Sequence, residues 1–280
     1  MLELNKIHQG DCLELMKGIE NKSIDCIICD LPYGTTSCSW DEIIPFDKLW
    51  NQYNRIIKDN GAIVLFGSQP FTTKLINSNI KNFKYEWIWE KQKASNFMTA
   101  KYQPLKYHEN VVVFSKGTHN YYPQRYKVLE LGDVEDGIKN KGIKYVKEII
   151  ENNLIRNFGK IDRRKVHNDN KTNKEVIGSN IKRTRKVDDG YRNPKSIITI
   201  NKSINKNIHP TQKPVELIEY LINTYSKEGD LILDNCIGSG TTAIACMNTG
   251  RNWIGMELDE EYYKLAKERI ELHKKNLIIK

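Results

Sequence analysis

At 280 residues the chain can hold one large domain, or a domain with a sizeable insertion, and can bury a core of its own. No apolar run approaches the ~20 residues of a membrane span, and Met1-Leu-Glu-Leu-Asn-Lys6 lacks a basic region leading into an apolar stretch; this argues against a membrane or secreted protein and for a cytoplasmic one. The net charge of +9 is unevenly spread: residues 116–206 hold 22 Lys+Arg against 11 Asp+Glu, while the remainder is slightly acidic. Such a segment suits contact with nucleic-acid phosphates, or else is a solvated Lys/Asn-rich insertion.

In chain order, Gly10-Asp11-Cys12 leads into a helix-like stretch from Leu13 to Ile19, which Asp11 is placed to cap. Ile24 to Cys29 is an apolar, β-branched run that reads as a strand, and it ends at Asp30-Leu31-Pro32-Tyr33, a junction of the kind that Asp-x-Pro favours. Phe46 to Ile57 follows with Leu49, Tyr53 and Ile56 on one helical face; Ala62 to Phe66, Tyr85 to Trp89 and Val111 to Phe114 read as further strands. Alternating strands and helices predict an α/β layered domain. Trp87 and Trp89 read as core, Lys91 or Lys93 as phosphate contacts, and His108-Glu109 as structural.

From Gly117 to about Asn207 the composition shifts to Asn, Lys, Asp and Gly, with only Ile143 to Ile155 helix-like. Order then resumes. Thr211 is placed to cap a helix, Pro214 suits its first turn, and Val215, Ile218, Leu221, Ile222 and Tyr225 form its apolar face. A strand from Leu231 to Leu233 runs into Asp234-Asn-Cys-Ile-Gly238-Ser-Gly240-Thr241-Thr242, then a helix, then a strand ending at Glu257. Strand, acidic residue, Gly-x-Gly turn and helix together let a ligand approach the backbone beside a helix N-terminus. Glu257, 19 residues beyond Gly238, stands where an acidic side chain accepts ribose hydroxyls. Gly238 to Ala243 also matches a dinucleotide fingerprint, but only about forty residues follow, too few for the rest of a dinucleotide sheet. The six cysteines show no small-domain disulfide spacing and are expected to be reduced. Cys26 and Cys29 form a CxxC inside a strand without a second pair, so no metal site is expected.

Asp30-Leu31-Pro32-Tyr33 and the Asp234 to Thr242 loop together resemble the DNA amino-methyltransferases, and the catalytic element preceding the cofactor loop resembles their β-class, with permuted motifs. The resemblance covers roughly residues 5–117 and 207–272. It implies a Rossmann-like methyltransferase sheet with three regions: a catalytic half (1–117), a basic target-recognition region (118–206) and a cofactor half (207–280). It also implies S-adenosylmethionine as cofactor and double-stranded DNA as substrate, and it admits a homodimer and a cognate restriction endonuclease as partners. His209-Pro-Thr-Gln-Lys-Pro214 is similar to the methionine-side motif, which implies Thr211 and Lys213 beside the cofactor carboxylate. Gly10-Asp11-Cys12 is similar to the segment that reaches the cofactor's adenine, so Asp11 is either an acceptor there or a plain N-cap.

In that family's chemistry the target amino nitrogen is a poor nucleophile because its lone pair is delocalised into the ring. Asp30 and the Leu31 carbonyl, which precedes Pro32, would accept its hydrogens, and Tyr33 would stack on the flipped base. Asp rather than Ser at position 30 favours adenine N6 over cytosine N4. Leu31 stands where the family usually has proline. An RNA substrate and an inactive nucleic-acid-binding relative are the remaining readings.

Overall fold

The computed structural model describes residues 2–35, 41–91, 93–94, 96–127, 191–200 and 212–278. The chain divides into two units, Met1–Pro123 with Lys195–Lys280, and Gln124–Pro194. From the N-terminus run β1 (Lys6–Gln9), α1 (Cys12–Met16), β2 (Ile24–Cys29), α2 (Phe46–Ile56), β3 (Ile57–Gly67), α3 (Phe71–Ser78), β4 (Phe83–Glu90) and β5 (His108–Phe114). Then come β6 (Tyr126–Lys127), β7 (Tyr191–Arg192), β8 (Ile197–Thr199), α4 (Val215–Tyr225), β9 (Leu231–Asp234), α5 (Thr241–Asn248), β10 (Asn252–Glu257) and α6 (Glu260–Ile278).

In the first unit the sheet order is β1-β10-β9-β2-β3-β5-β4-β8. β1, β10, β9, β2 and β3 are parallel, β5 is antiparallel to β3 and β4, and β8 joins β4 in parallel. β2 is buried at all six positions, as expected of a central parallel strand covered on both faces. Successive side chains serve opposite layers. Cys26, Ile28, Val64, Val111 and Val113 pack with Leu217, Leu221, Ala243 and Ala245 of α4 and α5. Ile27, Cys29, Ile63, Leu65 and Val112 pack with Met16, Leu49, Tyr53 and Leu75 of α1, α2 and α3.

β9 and β10, late in the chain, lie between β1 and β2 from its start. This closure supplies the strands that a dinucleotide reading of the glycine loop could not find downstream. It also sets the carboxyl ends of β1, β10, β9 and β2 along one edge, with the crevice at the point where the order reverses between β9 and β2.

Three boundaries differ from the sequence reading. α2 ends at Ile56, and Ile57 instead begins β3, paired with Ile24 before a register shift to Cys26 and Ala62. Ile197–Thr199, within the basic segment, extends the sheet edge against Ile88–Glu90. Pro214, extended at φ −60° and ψ 139°, takes the N-cap position of α4. The helix therefore starts three residues beyond the Thr211 cap expected from sequence, because a residue before proline is held out of helical geometry. Thr211 itself, the Ile143 to Ile155 stretch and Cys38 lie outside the described residues. In the second unit β6 and β7 pair antiparallel, with the Arg125 guanidinium 5.5 Å from the Tyr191 ring centroid.

Candidate active site

The glycine loop leaves β9 at Asp234, which is buried and takes the Thr242 hydroxyl at 2.6 Å and the Cys236 N–H at 3.1 Å. Burial raises its carboxyl to about 7, against the partial relief of those donors. A folded-state value above the ordinary ~4 stabilises the fold at low pH, and that contribution fades as pH rises through about 7. The ligand-free protein should therefore melt several degrees higher at pH 6 than at pH 8, and Asp234→Asn should flatten that dependence in differential scanning calorimetry.

Gly238 and Gly240 both sit at positive φ, 52° and 79°, the left-handed region that favours glycine. Their free sides face different things. A Cβ on Gly240 would meet Ile270 at 3.1 Å and Ala266 at 3.4 Å, so its small size admits α6 against the loop. A Cβ on Gly238 would find nothing nearer than the Cys236 carbonyl at 4.0 Å, which leaves this backbone open to a ligand. Thr241 is turned to α6, where Arg269 donates to its hydroxyl at 3.0 Å. Thr241 and Thr242 thus shape the loop through their side chains.

Glu257, at the end of β10, accepts the Gly238 N–H at 2.8 Å and the Asp259 N–H at 2.9 Å, and burial raises its carboxyl. Beside it, Gly10 N–H donates to the Glu257 carbonyl at 2.9 Å, bringing Asp11 to the same edge. The Asp11 side chain caps α1 through Leu13 N at 2.7 Å, so the N-cap reading holds for one of its oxygens. Cys12 accepts from Asn235 at 3.5 Å, and Asn235 in turn accepts the Tyr53 hydroxyl at 2.5 Å. Asn235 and Tyr53 fix the cofactor loop to α1 and α2; only contacts across the layers reveal this.

Across the crevice, β2 ends in the Asp30 turn. Asp41 holds that turn, accepting from the backbone N–H groups of Tyr33 at 2.7 Å, Gly34 at 2.9 Å and Thr35 at 2.8 Å. The Leu31 side chain is buried in the core below. Tyr33 donates its hydroxyl to Asp30 Oδ1 at 2.6 Å, and its ring stacks on Phe71 with centroids 4.9 Å apart. Burial, with Asp30 and Glu109 nearby, keeps that phenol well above its ordinary range.

Lys213 binds Asp30 Oδ2 directly and lies 3.2 Å from Glu109 Oε2, its ammonium 5.1 Å from the Phe66 ring centroid. Burial would depress this ammonium, but Asp30 and Glu109 outweigh it and hold it above its usual value. Glu109 also pairs with Lys91 at 2.9 Å; burial opposes its ionisation, and the two lysines prevail and lower it. Two carboxylates and two ammoniums thus form one balanced cluster. The sequence reading placed Lys213 by the cofactor carboxylate, Lys91 or Lys93 on phosphate and Glu109 in a structural role; the fold links Lys213 to Asp30 and to Glu109, and Glu109 to Lys91. The one sequence signal for Glu109 is an acid at the start of the apolar strand β5. Among the described residues no group of His, Cys, Asp or Glu is arranged to hold a metal ion, and no helix is long and apolar enough to cross a membrane.

Fold and site together define an α/β protein with a glycine loop and a carboxylate–ammonium cluster at the carboxyl ends of its parallel strands. The model of the DNA methylase family of N6/N4 methyltransferases matches residues 24–268. The Type II methyltransferase M1.MboII of Moraxella bovis is 29% identical over 282 residues, covering 95% of this chain and 96% of that protein. The DNA adenine methyltransferase YhdJ of Escherichia coli (strain K12) is 25% identical over 284 residues, covering 96% and 84%. The crystal structure of an M1.HpyAVI–SAM complex is similar in fold, with a TM-score of 0.56 at 21% identity over 94% of this chain and 98% of that one. The chain belongs to the N6-adenine/N4-cytosine DNA methyltransferase family.

Proposed function

We propose that this DNA methyltransferase modifies N6 of adenine within a specific sequence of duplex DNA, acting on a base flipped out of the helix. The observation that carries the reading is the Asp30 carboxylate, held between Tyr33 and Lys213 across the crevice from the open backbone at Gly238. Aspartate at this position, together with the adenine specificity in the name of YhdJ, supports adenine over cytosine.

The methyl donor is S-adenosylmethionine, which supplies an electrophilic methyl group on its sulfonium sulfur. The cradle suits it: Gly238 leaves room beside the N-terminus of α5, and Glu257 and Asp11 offer acceptors for ribose and adenine. Asp30 has one donor on each oxygen and so keeps a lone pair on each. Those lone pairs, with the Leu31 carbonyl, accept the amino hydrogens and free the nitrogen lone pair. Positioning and electrostatics supply the rate, without a covalent enzyme intermediate.

The Tyr33 hydroxyl belongs to this network, and that revises what substitution should do. Stacking alone would leave Tyr33→Phe near full activity, but loss of the 2.6 Å bond to a carboxylate should cost roughly tenfold in single-turnover methyl transfer. Tyr33→Ala should cost more. Full activity in Tyr33→Phe would reduce the role to stacking.

Residues 118–206 are proposed as the target-recognition region, on the strength of the basic excess there. Charge removal at Arg163, Arg164 and Lys165 should flatten the salt dependence of DNA binding, by about 0.9 for each phosphate no longer neutralised, on all sequences alike. The base itself is tested by mass spectrometry of nucleosides from DNA of an expressing host. N6-methyladenine is expected. N4-methylcytosine would overturn the adenine assignment.

A further inference from the structure

β4 and β5 are adjacent antiparallel strands, and a hairpin between such strands needs only 2–5 residues. Here 17 residues, Lys91 to Tyr107, make the connection. One end of this loop is tied to the Asp30–Lys213–Glu109 cluster and the other to the exit of β3. Lys91 pairs with Glu109 and donates its N–H to the Tyr107 carbonyl at 2.6 Å, while Lys106 donates to Ser68 at the exit of β3.

The loop is internally built. Asn96 donates to the Pro104 carbonyl at 3.0 Å and accepts from Lys106 N at 2.6 Å, and Gln103 donates to the Thr99 hydroxyl at 2.6 Å. What this frame presents is apolar. Phe97 is 63% exposed, Met98 95% and Tyr102 88%, all on the short turn Phe97–Thr99 and the one after it. Holding such side chains in water is unfavourable unless something covers them.

Charge says what. Residues 92–107 contain Lys93, Lys101 and Lys106 and no acidic residue. Two such loops would repel one another, which argues against a second copy as the cover, whereas apolar side chains flanked by lysines match a base stack edged by phosphates. We propose that Phe97, Met98 and Tyr102 enter the DNA stack and fill the space left by the flipped target base. The stem at Lys91 and Lys106 ties this wedge to the pocket that receives the base. The inference rests on the base-flipping reading above and names the residues that would open the duplex.

The test uses the full chain and a duplex bearing the methylated site identified by sequencing host DNA. Single-turnover methyl transfer is compared on that duplex with the target adenine paired, and on the same duplex with an abasic site opposite it, where little remains to be opened. The triple variant Phe97→Ser, Met98→Ser, Tyr102→Ser should lose roughly tenfold or more on the paired duplex and recover most of it on the abasic one. Its melting temperature and its calorimetric affinity for S-adenosylmethionine should match wild type. If the triple variant folds poorly, Met98→Gln alone should give a smaller loss with the same recovery. Equal losses on both duplexes, no loss on either, or a wild-type dimer that the variant abolishes on a sizing column would each overturn the wedge. Absence of N6-methyladenine from the host DNA would instead overturn the adenine reading on which the wedge rests.

Discussion

Asp30→Ala is expected to abolish methyl transfer, by on the order of 10³-fold or more, while S-adenosylmethionine binds as in wild type. The two effects separate if, as proposed, the carboxylate serves the target amino group while the cofactor sits at the ends of β9, β10 and β1. The fold should survive. Lys213, buried and deprived of Asp30, keeps Glu109 at 3.2 Å as a counter-charge, so the variant does not strand an ammonium in the interior. Tritium transfer to DNA reports the chemistry and titration calorimetry the cofactor. Undiminished turnover would remove Asp30 from the mechanism; lost cofactor affinity with it would make Asp30 part of the cradle instead.

The second large effect is expected at the glycine turn, where two neighbouring substitutions should fail for opposite reasons. Gly238→Val places a branched side chain in the open approach and should eliminate S-adenosylmethionine binding with only a modest loss of stability, about 1–2 kcal/mol for the left-handed backbone. Gly240→Val drives the same side chain into Ile270 and Ala266 and should lower stability further, by about another 1–3 kcal/mol of overpacking. Melting curves with and without cofactor separate the two. A Gly238→Val protein whose melting temperature still rises with S-adenosylmethionine would show that the ligand does not pass Gly238. A Gly240→Val protein as stable as wild type would mean that α6 yields at this contact.

Much of this was legible in the chain because it is local. β2 reads as a buried strand from Ile24 to Cys29 alone, and the Gly238 and Gly240 turn, the acids at the ends of β9 and β10, and the Asp30 turn declare themselves within a few residues each. The resemblance carried by their order, Asp30 turn first and glycine loop later, implied a sheet that closes from both ends of the chain, and the strand order β1-β10-β9-β2 does so. The tertiary structure alone decided how these parts divide the work. Periodicity tells which face a residue serves but not which partner it meets there, and Lys213 meets Asp30 across 183 positions of sequence. Only the packed sheet could therefore pair Lys213 with Asp30, bring Glu109 and Lys91 beside it, and set Gly240 against α6. The exposure of Phe97, Met98 and Tyr102 is likewise a property of the packed structure, since composition alone does not say whether an apolar side chain is covered.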